Sequence, residues 1–190
     1  RERLEVHKAF DDLTLDAGDP AGFTTGVAAR LPGDAAPLTI RLSNPNDIPV
    51  TQVTFVDRLP DGIVLAAPPI LATDCTAGSV TGMPSGREVT LTGATLGAVG
   101  SADASCTVTA EVVGNIPGVY TNEIAAGDVT SFEGIDNLPG TQAQIVITEP
   151  PVLSKEFSPP VVAPGVSTTL SLLIGNPNDA DTTLTLSLIH

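Results

Sequence analysis

Apolar and polar residues alternate with a period of two through much of this chain, in short runs cut by proline and glycine. Leu4 to Phe10 alternates in this way. Leu38, Ile40 and Leu42 share one face of the run Leu38 to Ser43, and Val53 and Phe55 share one face of Thr51 to Asp57. That period places alternate side chains on one face of a pleated strand. Further short strands are predicted at Ile63 to Ala66, Arg87 to Leu91, Cys106 to Val112, Val119 to Ile124 and Gln144 to Thr148. Asn44-Pro45-Asn46-Asp47 and Leu59-Pro60-Asp61-Gly62 punctuate the runs, because Pro biases its predecessor toward extended backbone and Asn and Asp bond their own backbone in turns. Gly93 to Gly100 is read as a turn, since it leads into a strand and lacks the helix N-terminus that a phosphate loop needs. Many short strands between Gly/Pro turns predict an all-β fold, a β-sandwich.

The pattern repeats. Leu38 to Asp47 reads LTIRLSNPND, and Leu170 to Asp179 reads LSLLIGNPND. Lys8-Ala9-Phe10 precedes the first copy and Lys155-Glu156-Phe157 the second, so two markers recur in the same order. From Phe10 to Asn44 is 34 residues and from Phe157 to Asn176 is 19, which gives the first copy a 15-residue insertion within residues 11–37. Insertions in repeat proteins fall on surface loops and carry what is specific to that copy. Glu149-Pro150-Pro151 is a stiff spacer. The expected division is a first repeat over 1–149 and the N-terminal part of a second over 150–190, with strands at Leu153 to Phe157, Thr168 to Gly175 and Thr183 to Ile189. Three strands do not close a sandwich, so the remaining strands are expected from chain beyond His190 or from another molecule.

Composition narrows the core and the partners. Aromatic residues are 3% of the chain and Trp is absent, while hydrophobic residues reach 42%, so the core is built from Val, Leu, Ile, Ala and Thr. The net charge of −14, from 22 acidic and 8 basic residues, repels nucleic acid and anionic lipid. No apolar run is long enough to cross a bilayer, and the first ten residues lack the apolar centre of a signal peptide. The chain reads as an excerpt of a larger protein. Cys75 and Cys106 are 31 residues apart, too far for a CxxC redox or zinc pair, and no His/Cys cluster accompanies them. A structural disulfide is the expectation, against two buried thiols, and it implies an oxidising compartment.

Five segments in order carry a resemblance. Lys155-Glu156-Phe157-Ser158-Pro159, Asn44-Pro45-Asn46, Asp57-Arg58-Leu59-Pro60-Asp61-Gly62, Ser105-Cys106-Thr107-Val108-Thr109 and Gly118-Val119-Tyr120-Thr121-Asn122 resemble the bacterial surface-protein repeats of the domain-of-unknown-function-eleven type. The likeness spans nearly the whole chain outside residues 11–37, and Lys8-Ala9-Phe10-Asp11-Asp12 replaces the lysine motif in the first copy. The resemblance implies an immunoglobulin-like sandwich, strung in tandem along large secreted or cell-surface proteins and usually non-catalytic.

Candidate chemistry is sparse. Lys8 and Lys155 are the only lysines and occupy equivalent positions. One reading of Lys8 is a buried ion pair. The sharper one is an intramolecular isopeptide bond to Asn122 or Asn137, promoted by a carboxylate such as Asp57, since burial of a Lys–carboxylate pair can yield a neutral amine and a protonated acid. In the second copy His190 falls where the first has Asp57. Acidic residues gather at Asp11, Asp12, Asp16, Asp19 and Asp34, and again at Asp128, Glu133 and Asp136. Calcium, the one cofactor left open, would be held by Asp11, Asp12, Asp16 and Asp19, although no EF-hand or RTX spacing is present and a solvated acidic loop is the favoured reading. His7 sits in a strand beside Lys8 and His190 at the chain end, so no Ser/His/Asp arrangement has a base, and GxSxG is missing. There is no N-x-Ser/Thr site.

These observations favour a non-catalytic structural or adhesive repeat of a secreted or cell-surface protein, whose partners are neighbouring repeats, copies of itself or a surface ligand. The alternative is a subunit of an extracellular filament completed by a strand from the next molecule. A ligand-binding module using residues 11–37 is a third reading, and an enzyme is disfavoured.

Overall fold

The computed structural model describes residues 1–11 and 27–178, and every regular element among them is a β-strand. The strands are β1 (Glu5–Phe10), β2 (Ala28–Arg30), β3 (Ala35–Ser43), β4 (Val50–Arg58), β5 (Ile63–Leu65), β6 (Leu71–Thr73), β7 (Ser79–Thr81), β8 (Glu88–Leu96), β9 (Ser105–Gly114), β10 (Gly118–Ile124), β11 (Thr141–Ile147), β12 (Val152–Ser158) and β13 (Thr169–Gly175). The chain divides into two units, Arg1–Ile147 and Thr148–His190, just before the Glu149-Pro150-Pro151 spacer.

Unit 1 is an immunoglobulin-like sandwich. One layer has the order β1-β3-β9-β5, with β6 also paired to β9. The facing layer is made of β4-β8-β7 and β10-β11-β2, and an isolated bridge, Thr54 to Thr130, extends β4 toward the loop after β10. The alternation becomes burial: Ala36, Leu38, Ile40 and Leu42 of β3 and Val53 and Phe55 of β4 are all nearly inaccessible, as are Val108, Ala110 and Val112 of β9. Inward positions of both layers thus interdigitate as a continuous aliphatic core.

Two expected boundaries change. Gly93 to Leu96 belongs to β8 and not to a turn: Gly93 takes φ +72°, which lets the strand pass an irregularity opposite Val53 and continue to Leu96. The turn proper begins at Gly97. Residues 28–30 of the insertion form β2, which adds parallel to β11 through Ala28–Ile145, Ala29–Val146 and Arg30–Ile147.

Two of the turns lock to distant segments. Gly62 adopts φ +100°, and a Cβ there would lie 2.6 Å from the Tyr120 ring, so the turn closes directly onto an aromatic face. The Tyr120 hydroxyl donates to the Ile116 carbonyl at 2.8 Å, which fixes the ring. The Asn44-Pro45-Asn46 turn is held by its amides. Asn44 donates to the carbonyls of Ile48 and Gly97, each at 2.8 Å, and its Oδ1 accepts from the Asn46 backbone N–H. Asn46 in turn accepts from the Glu2 N–H at 2.8 Å and donates to the Glu2 carbonyl at 3.0 Å.

Unit 2 rebuilds the same start. β12 and β13 pair antiparallel with Lys155 opposite Leu172 and Phe157 opposite Leu170, as Lys8 stands opposite Ile40 and Phe10 opposite Leu38. Asn178 accepts from the Glu149 N–H at 2.7 Å and donates to its carbonyl at 2.8 Å, and its own N–H donates to Asn176 Oδ1. The predicted strand Thr183 to Ile189 and His190 lie outside the described residues.

Cys75, just past β6, is joined to Cys106 on β9. The bond prolongs the β6–β9 ladder, whose last register pair is Thr73–Val108. The closed loop spans 31 residues and in the chain-entropy account stabilises the fold by about 3–4 kcal/mol. Replacing both cysteines with alanine is expected to lower stability by that amount in denaturant titration; an unchanged midpoint would show that the β6 edge is held by its hydrogen bonds alone.

Candidate functional site: a buried lysine, aspartate and asparagine

Strand phase dictates where the site forms. On β1 the inward positions include Val6, Lys8 and Phe10; on β4 they are Val53, Phe55 and Asp57; on β10 they are Asn122 and Ile124. Three polar side chains therefore occupy places that the alternation reserves for hydrophobes. Lys8 is 1% exposed, Asp57 0% and Asn122 1%.

They meet at one carboxylate. Lys8 Nζ donates to Asp57 Oδ1 at 2.6 Å, and Asn122 Nδ2 donates to Asp57 Oδ2 at 3.0 Å. Asp57 thus bridges an edge strand of one layer and a strand of the other. Asn122 Oδ1 is the buried side-chain polar atom that has no hydrogen-bond partner among the described residues. Such an orphan is unfavourable by about 1–3 kcal/mol. Desolvation pulls the Lys8 amine below its ordinary value, and the attraction and hydrogen bond of Asp57, with a smaller contribution from the charge of Glu123, oppose that pull without cancelling it. Burial thus favours the uncharged form of the Lys8 amine, against the pull of the carboxylate beside it.

The other asparagine of the sequence reading has a different task. Asn137 is fully buried, and its Oδ1 accepts from the N–H groups of Gly127 at 3.1 Å and Val129 at 2.9 Å, while Nδ2 donates to the Ala125 carbonyl at 3.0 Å. Both ends of its amide are engaged in shaping the loop between β10 and β11. Asn122 alone shares the carboxylate with Lys8.

Several of the described acidic residues have structural partners. Asp11 receives the Arg30 guanidinium in a two-oxygen pair. Asp12, Asp16 and Asp19 lie outside the described residues. Glu133 accepts from the Thr51 N–H and hydroxyl, at 2.8 and 2.7 Å, Asp136 pairs with Arg3, and Asp128 accepts from the Ala125 N–H. The one group of metal-ligating atoms close together among the described residues is Asp74, Cys75 and Cys106, and its two sulfurs are consumed by the disulfide.

A buried pair is sensitive to losing one partner, because the survivor remains as an unpaired charge or dipole. Asp57→Ala is expected to be less stable than the double variant Lys8→Met/Asp57→Leu by about 3 kcal/mol in chemical denaturation. Equal stabilities would mean that water reaches Lys8 once the carboxylate is gone.

The family profile described as Domain of unknown function (DUF7933) matches residues 23–147. No curated protein matches the chain. Among solved structures, the major pilin subunit of Bacillus cereus is similar with a TM-score of 0.52 at 13% identity, covering 92% of this chain and 56% of its own. The chain thus spans little more than half of that pilin. A non-cellulosomal cohesin from Archaeoglobus fulgidus has a TM-score of 0.44 at 8% identity, over 76% of this chain and 92% of its own. The pilus backbone RrgB from Streptococcus pneumoniae has a TM-score of 0.41 at 15% identity, over 68% of this chain and 52% of its own. At 13% identity the likeness to the Bacillus cereus pilin is one of fold.

Proposed function

The chain belongs to the DUF7933 family, and from that premise we propose that it is a non-catalytic structural or adhesive segment of a large secreted or cell-surface protein, built from tandem immunoglobulin-like repeats. The observation that carries the reading is the duplicated entry device. Asn46 on Glu2 and Asn178 on Glu149 make the same pair of backbone hydrogen bonds, and each is followed by a lysine strand paired in the same register to the strand before its Asn-Pro-Asn turn. A device that fixes the incoming chain at the start of each repeat suits an array whose members are joined end to end. The proposed division is 1–149 and 150–190, its boundary falling within the Glu149-Pro150-Pro151 spacer, close to the change of compact unit at Thr148.

Three further facts support the setting. The disulfide belongs to an oxidising compartment. A net charge of −14 keeps an extended array soluble. The order of the lysine, Asn-Pro-Asn, Asp-x-Leu-Pro-x-Gly and Gly-x-Tyr-Thr-Asn segments supports kinship with the domain-of-unknown-function-eleven repeats as well. The pilin likeness bears on fold, and assembly into a filament is the second reading, favoured by the apolar side chains that β12 and β13 present: Leu153, Phe157, Leu170 and Ile174 are all exposed within unit 2.

Negative-stain electron microscopy of the natural protein, with antibody labelling of intact cells, tests the proposal. Surface labelling and a string of beads of one sandwich each are expected. Monomers that polymerise into fibres as purified would move the assignment to the filament, and a purely intracellular label would overturn both.

A further inference from the structure

We propose that Lys8 and Asn122 are joined by an intramolecular isopeptide bond, formed once within the folded sandwich with Asp57 as the proton-transfer group. Four observations converge on it. Lys8 is among the largest fully buried side chains, at a position flanked along its strand by Val6 and Phe10, where an aliphatic residue would satisfy packing without the desolvation of an ammonium. Its amine is held below its ordinary value by that desolvation, which favours the unprotonated nucleophile. Nucleophile and electrophile share one carboxylate, at 2.6 and 3.0 Å. Finally, the carbonyl oxygen of Asn122 is left without a partner among the described residues, although half a turn of the amide brings it to Asp57. An amide kept only for structure would look like Asn137, with both ends bonded.

The chemistry balances without a co-reactant. Lys8 gives one proton to Asp57 Oδ1, leaving an amine beside a carboxylic acid. The Asp57 O–H then donates to the Asn122 carbonyl oxygen and polarises it. The Nζ lone pair attacks Cγ, and the carbonyl π electrons move onto oxygen. A second proton leaves Nζ and reaches Nδ2 through Asp57, the Cγ–Nδ2 bond breaks as the carbonyl re-forms, and ammonia departs. Ammonium, carboxylate and primary amide have become secondary amide, carboxylic acid and ammonia, with charge conserved. Fixed proximity supplies the drive, since the groups meet as parts of one folded body. Burial keeps water from taking the place of the amine.

The bond would also redirect force. β1 lies just after the chain enters the repeat, and β10 leads through β11 to its exit at Ile147. Residues 9–121 would sit inside a covalent ring, so tension applied at the ends of the repeat would pass from Lys8 to Asn122 and leave the ring slack. At about 3.6 Å per residue, roughly 400 Å of extension would be withheld.

The intact mass of the folded, disulfide-bonded native protein and a peptide map of it decide the matter. We expect one ammonia missing, a loss of about 17 Da, with residues 8 and 122 on a single joined peptide. Lys8→Arg, Asp57→Ala and Asn122→Ala are each expected to abolish the joined peptide and restore the ammonia. Separate peptides from the folded native protein would overturn the proposal without recourse to any variant, as would a joined peptide that persists in Asn122→Ala. These results are independent of whether the array reading holds, since a filament subunit or a free domain would carry the same bond.

Discussion

The structure turns on a charge buried where the strand pattern calls for a hydrophobe. Lys8, Asp57 and Asn122 each stand in the inward phase of a strand, and each would be unfavourable there alone. Together they form a net-neutral unit in which the carboxylate accepts from both neighbours. The geometry that satisfies it is narrow, because β1 belongs to one layer and β4 and β10 to the other. A register slip in any of the three strands would turn one member outward and strand the other two. Aliphatic residues fill the rest of the core and tolerate repacking, whereas this contact admits one alignment of the layers.

Three segments singled out in the sequence physically meet. The lysine strand supplies Lys8, Asp57 opens the segment that runs to Gly62, and Asn122 closes the segment that begins at Gly118. The same two segments touch a second time, where Gly62 approaches the Tyr120 ring. The Asn-Pro-Asn turn works differently. Its hydrogen bonds reach the backbone of Glu2, at the entrance to the repeat, and the equivalent bonds reach Glu149 in unit 2. One set of motifs therefore fixes the interior of the sandwich, and another fixes how the chain enters it.

Much of this was legible in the sequence because alternation survives wherever one face is buried. β1, β3, β4 and β9 follow it closely. β2, β6 and β7 do not, since three residues are too few to show a period and each is held by its neighbour's ladder. The alternation predicts β8 only as far as Leu91, because the left-handed Gly93 imitates a turn while the strand continues to Leu96. The disulfide needed no pattern, as the two cysteines have only each other. Lys8 and Asp57 are visible as polar residues in an apolar phase. The choice between Asn122 and Asn137 was not visible, because both are buried and only three-dimensional proximity separates an amide beside the carboxylate from one that shapes a loop.

Two covalent staples in one sandwich would not duplicate one another. The disulfide closes a loop of 31 residues and ties the short edge strand β6 to β9. Its entropic effect acts on the unfolded chain whether or not any force is applied. A ring closed by the proposed Lys8–Asn122 bond would contain that loop entirely, since Cys75 and Cys106 both lie between them. With that bond in place, a pull along a tandem array would not reach the disulfide. On this proposal the cysteines would serve the stability of an edge, which thermal motion frays, while the lysine and asparagine would serve the path of tension. The two demands fall on different strands because an edge opens sideways from its sheet, whereas a load runs from the strand that enters the repeat to the strand that leaves it.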